Sequence, residues 1–123
     1  MPWKRYLLEI GTGVDLHGED YTKAAKRAVK DAISGCSMIG LRSCCGLKNR
    51  EEVNEKVLVD VTVAVPEPDK VDSKAVLEEL PEGARRIKVV QGGMRFPTPL
   101  NTDLADIHGV VVAAAIIVVL VKD

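Results

Sequence analysis

The chain has 123 residues, 46% of them apolar and 28% charged, with 17 basic against 18 acidic side chains. That length suits a single domain over residues 1–123, able to bury roughly two thirds of its unfolded surface. A net charge of −1 and only 3% aromatics exclude a nucleic-acid binder or a membrane-surface binder, which depend on clustered positive charge and, for single strands, on stacking rings.

The opening residues Met1-Pro2-Trp3-Lys4-Arg5 lead into a short apolar run broken by Glu9, with no signal-peptide pattern. The longest apolar run, Val110 to Val121, is twelve residues, against about 20 for a membrane-spanning helix. Cys36, Cys44 and Cys45 are odd in number, two of them adjacent, and form no disulfide framework. A cytoplasmic, reducing setting is therefore expected. Cys44-Cys45 lacks a C-x-x-C partner, so the thiols read as buried small residues.

Lys4 to Ile10 alternates as a strand, with Tyr6, Leu8 and Ile10 on one face and Arg5, Leu7 and Glu9 on the less apolar one. Glu9 and Asp60, on such faces, read as interface salt-bridge partners in preference to general acids. The glycine-bearing stretch Gly11 to Gly18 is expected to be a loop. From about Glu19 to Ser34, Ala24, Ala25, Ala28, Val29, Ala32 and Ile33 make a narrow helical stripe of small residues, suited to close packing on a sheet. Its basic side, Lys23, Lys26, Arg27 and Lys30, reads as solvated. Residues 36–52 have no period and are expected to be a loop, with a short strand near Met38 to Leu41.

Val57, Val59, Val61, Val63 and Val65 alternate as a clear strand. Pro66 to Asp69 reads as a turn. A short helix follows, capped by Asp72 or Ser73, striped by Val76, Leu77 and Leu80, and ended by Pro81. Arg86 to Gln91 is a third strand, and Gly92 to Gly109 a loop. The β-branched density of Val110 to Val121 makes the last segment a strand. The order βαβαββ predicts an α+β two-layer sandwich, a four-stranded mixed sheet with two helices on one face.

Two helices cover one face. The final strand is apolar on both, so another subunit is expected to cover the second; leaving several Val or Ile side chains wet would forgo roughly 1.5–3 kcal/mol each. A homo-oligomer follows. The alternative is a monomer with the 36–52 segment folded over the open face.

Gly11 and Gly13 do not begin a dinucleotide fingerprint, because Leu16 stands where the third glycine belongs. What remains is a glycine-flanked stretch carrying Asp15, His17 and Gly18, which allows close approach by a ligand or a neighbouring chain. Asp15 can orient the His17 ring and raise its basicity, or both can ligate a metal. Equally, Asp15 caps the turn and His17 bonds main chain. Asp106-Ile107-His108-Gly109 echoes Asp15-Leu16-His17-Gly18, and the two copies hold both histidines of the chain. If they converge, they offer two His and two Asp, a set suited to a divalent metal, although a solvated loop histidine is the commoner case. Gly92 and Gly93 with Arg95 place backbone amides and a guanidinium at a strand end, able to anchor a carboxylate or phosphate.

On Gly11, Gly13, Asp15, His17 and Gly18, and on the alanine-rich helix, valine-rich strand and Gly92-Gly93-Met94 that follow, the chain resembles a small family of conserved hypothetical proteins. The resemblance implies a fold like that of trimeric chorismate mutase, with ligand sites between subunits, and no assigned reaction. Fold analogy supplies no chemistry. Two functional readings result. In the first, a small-molecule enzyme has an interface site where His17 is the general acid/base, Asp15 orients it, and Gly11, Gly13, Gly18, Gly92, Gly93, Arg95 and His108 bind an anionic metabolite. In the second, a non-catalytic or regulatory oligomer uses the same cleft, with a divalent metal as a variant. No cofactor is indicated.

Overall fold

The computed structural model describes residues 2–80, 84–96 and 109–122. In chain order these form β1 (Lys4–Asp15), α1 (Tyr21–Ser34), α2 (Gly40–Ser43), α3 (Arg50–Lys56), β2 (Val57–Val65), a 3-10 turn (Pro68–Lys70), α4 (Ser73–Leu77), β3 (Ala84–Gln91), β4 (Met94–Phe96) and β5 (Val110–Val121). The class is α+β with a mixed sheet, in the order β1-β5-β2-β3. β5 lies antiparallel between β1 and β2, and β2 runs parallel to β3.

The sheet has five strands, not the expected four. β2 pairs with β5 only from Ala114 to Val121. The vacant stretch Val110–Val112 is taken by β4, whose residues follow β3 after a sharp bend at Gly92-Gly93. That bend needs glycine. Gly93 has φ +66°, and a Cβ there would stand 2.2 Å from the Val112 carbonyl oxygen.

Two further expectations are corrected. The region read as loop and short strand holds α2 and α3 instead, because Asn49 caps α3 through the Glu52 N–H (2.9 Å) and Leu41 and Leu47 are buried against the core. The glycine stretch is also not a loop as far as Asp15: β1 continues through Gly11 and Gly13, paired with Ala115 and Ala113. The loop expected over Pro97–His108, and the helix stop at Pro81, lie outside the described residues.

The inner face is set by those glycines. Glu9, Gly11, Gly13 and Asp15 alternate inward, and α1 lies directly on them. Ala24, Ala25, Ala28 and Val29 are fully buried, as the small-residue stripe predicts. β2 contributes Val57 to Val65 at alternate positions and β5 contributes Val111 to Val121. This overturns the expected orientation of Glu9: the face that carries glycine must meet the helix, so Leu8 and Ile10 point outward although they are the more apolar pair. Asp60 is outward too, but its partner is Arg86 of the same chain, 3.0 Å away on the neighbouring strand.

The outer face therefore carries Leu8 (57% exposed), Ile10 (68%), Ile116 (44%), Met94 (61%) and Phe96 (58%), alternating in register with Val118 and Val112. The free edge of β1 is guarded along part of its length. Asp31 of α1 accepts from the Thr12 N–H (2.9 Å), and Arg27 donates to the Val14 carbonyl (2.5 Å), which removes the groups another strand would pair with.

Candidate functional site

β1 ends at Asp15 and α1 begins at Tyr21, and the chain between them is organised by one buried carboxylate. Asp15 is 4% exposed. Its Oδ2 accepts from the N–H of Gly18 (3.2 Å) and of Asp20 (2.7 Å), and Lys23 Nζ lies 3.9 Å from Oδ1. Asp20 then caps α1 by accepting from the Lys23 N–H (3.0 Å). Each acid thus satisfies amides that the turn and the helix start leave open.

No hydrogen bond joins Asp15 to His17 among the described residues. The proposed Asp-to-His orientation gives way to a different arrangement, since the carboxylate is committed to main chain and the imidazole is exposed. His17 stands with Asp15, Leu16, Gly18, Asp20, Lys23 and Arg27 around an open cleft of about 460 Å³. Lys23 and Arg27, read from sequence as part of a solvated face, are one helical turn apart and both line it. Their i, i+4 spacing just after the histidine loop was the available signal.

Gly11 and Gly13 take no part in that cleft. A Cβ on Gly11 would be 2.3 Å from the Ala28 oxygen, and one on Gly13 would be 2.2 Å from the Ala24 oxygen. The close approach these glycines permit is made by α1 of the same chain. Gly92 donates to the Val65 carbonyl (2.9 Å) and lies at the β3–β4 bend.

Arg95 does reach the loop, through Glu19. Its Nη2 is 2.5 Å from Glu19 Oε1, and the same oxygen accepts from the Gly109 N–H (3.0 Å). Glu19 has φ 47°, a left-handed conformation in which a glutamate is uncommon. Sequence reasoning missed it because nothing local marks it. Gly109, the last residue of the second Asp-x-His-Gly run, is thus tied to the loop of the first; Asp106 and His108 lie outside the described residues. Beside this pair, Tyr21 donates to Glu67 (2.7 Å). Burial pushes the Tyr21 phenol up, the Glu67 hydrogen bond adding to it, while Tyr21 and Lys70 hold Glu67 below the usual carboxylate range.

A family model for conserved hypothetical proteins, the Lin0512 family, matches residues 5–119. The chain belongs to that family. The match spans the histidine loop, both cations of the cleft and nearly all of β5. A crystal structure at 1.22 Å resolution of an FtsZ-like protein of unknown function from Nostoc punctiforme is 35% identical, covers 100% of this chain and 99% of its own, and superposes with a TM-score of 0.84. No curated protein matches the sequence.

The three cysteines are exposed, contrary to the expectation of buried thiols, because the residues around them belong to short surface helices and turns. Among the described residues no helix is long and apolar enough to cross a membrane, and no group of three or more His, Cys, Asp or Glu side chains is placed to hold a metal ion. At the first loop Asp15 Oδ2 is occupied by two amide hydrogens, and the other two members of the expected set of two His and two Asp, Asp106 and His108, lie outside the described residues.

Proposed function

We propose that this member of the family is a homo-oligomer that binds a small anionic metabolite, a carboxylate or phosphate, in the cleft at the start of α1. The observation that carries this is the grouping of exposed His17 with Lys23 and Arg27 around one open cleft. Asp15 Oδ2 and Asp20 Oδ1 are spent on amides. Lys23 stands 3.9 Å from Asp15 Oδ1 with its side chain half exposed, and Arg27 gives one N–H to the Val14 carbonyl, so each cation keeps further donors with which to meet an anion. In the enzymatic form of this reading His17 is the acid/base that touches the ligand, and Asp15 is a positioning residue that acts through the backbone of the loop. The non-catalytic form uses the same contacts without turnover, and the comparisons favour neither.

A thermal-shift series with phosphate, pyrophosphate and small dicarboxylates tests it. Stabilisation that saturates is expected of the wild-type protein and is expected to vanish in His17→Ala and in Lys23→Glu, with unchanged mass in light scattering. An anion response identical in both variants and wild type would place the ligand elsewhere.

The outer sheet face supports the oligomer. Leu8, Ile10, Ile116, Met94 and Phe96 are side by side there and well exposed, a patch of the kind monomers seldom present. Leu16, 54% exposed, continues from β1 to the cleft, so a copy packed on this face would approach the histidine loop. We take a trimer, as in chorismate-mutase-like proteins, as the arrangement. Ile10→Arg, with its charge on that patch, is expected to convert the assembly to a 13.3 kDa species while leaving far-UV circular dichroism unchanged. Wild-type protein that is already monomeric at micromolar concentration would end this part of the proposal.

A further inference from the structure

α1 stops at Ser34, so the helix that presses on Gly11 and Gly13 does not reach the row of Glu9. In that row Glu9 is paired with Ile117 on the inner face of the sheet, and the space beside them is bounded by Ile33 in the last turn of α1 and by Cys36, Met38 and Leu80 beyond the helix. The result is a cavity of about 130 Å³ between Ile33, Met38, Val59, Leu80 and Val119, with Cys36 at its side. Glu9 is 9% exposed, and its buried Oε2 has no hydrogen-bond partner among the described residues. No lysine, arginine or histidine lines the cavity.

We propose that this cavity is a second binding site, distinct from the His17 cleft, that takes a small primary amine with its ammonium group on Glu9 and a compact apolar body against the surrounding aliphatic side chains. A carboxylate oxygen buried without a partner is costly, and a buried charge is normally matched by an opposite charge or neutralised. An alkylammonium supplies both the donor and the charge. The aliphatic wall offers nothing polar to a larger head group, which restricts the class to amines with one cationic end. Size limits the body: a comparable apolar cavity of about 150 Å³ admits benzene, so a five-membered carbocycle fits. The Glu9 carboxylate beside it, with burial, pushes the Cys36 thiol above its ordinary pKa; because Cys36 lines the same cavity as Glu9, an occupant would shield it.

The test uses the full chain with Cys44→Ser and Cys45→Ser, leaving Cys36 as the reporter thiol. Cyclopentylamine is compared with cyclopentanol in calorimetric titration, thermal shift and the rate of Cys36 alkylation by iodoacetamide. The amine is expected to bind saturably, raise the melting temperature and slow alkylation, with the alcohol roughly tenfold weaker because it lacks the charge. Glu9→Gln is expected to erase that preference while His17→Ala leaves it intact. If Glu9→Gln does not fold, the amine-to-alcohol ratio for alkylation in the parent protein decides alone. Equal protection by both ligands, no protection by either, or loss of the amine response in His17→Ala would each overturn the proposal. Failure of the anion-binding reading leaves it untouched.

Discussion

Gly13→Ala is expected to destabilise the protein by about 3 kcal/mol or more, since overpacking against atoms that cannot rotate away lies at the costly end of core substitutions. The new methyl carbon would stand 2.2 Å from the Ala24 oxygen and 2.3 Å from the Ala28 nitrogen. Both are backbone atoms of a helix, so relief requires α1 to lift from the sheet along its length. The fully buried contacts of Ala24, Ala28 and Val29 loosen with it. A fall in melting temperature of roughly 10 °C or more follows for a domain of this size. Gly35→Ala is the control: nothing lies within 4 Å of a Cβ there, and φ is −98°. That change is expected to be neutral or to stabilise by up to about 1 kcal/mol. Urea unfolding followed by circular dichroism compares the two, and equal stabilities would show that these glycines do not set the distance between helix and sheet.

Asp15→Ala is the second large effect. It leaves the N–H groups of Gly18 and Asp20 without their acceptor, at roughly 2–4 kcal/mol for two part-buried donors. The loss is also local, because the turn that presents His17 and starts α1 is built on those two bonds. Hydrogen exchange at Gly18, Asp20 and Tyr21 is expected to accelerate before the rest of the helix does, and the anion response to disappear although His17 is still present. Asp15→Asn keeps one acceptor oxygen and separates the two roles considered for this residue. If Asp15 works through the backbone, the asparagine variant retains much of the anion response; if it tunes the imidazole by charge, the response is lost. An alanine variant as stable as wild type, with a protected loop, would refute the anchoring role.

Much of the fold was legible because the periods are strong and local. The valine alternation of β2, the alanine stripe of α1, the Asp72 cap of α4 and the β-branched run of β5 each declare one element. Adjacent small helices were not, since α2 and α3 depend on one cap and two buried leucines and not on periodicity. β4 was illegible for another reason: three exposed residues become a strand only because β5 outruns β2. At the site, Asp15 and His17 could be singled out from the loop that carries them, and both line a cleft, whereas Gly11 and Gly13 meet α1 of the same chain. Spacing alone cannot say whether a backbone approached closely meets a substrate or a helix.

By itself the sequence determined the elements with long repeats, the mixed α+β class, and an excess of apolar side chains on β1 and β5. Only the tertiary structure decided which face of β1 looks inward, that Asp15 holds main chain, that Arg95 is bound to Glu19, and that Glu9 ends inside a cavity. The reason is physical. Periodicity is a property of neighbours along the chain, whereas the fate of Glu9 depends on where a helix of fixed length stops above a strand that does not.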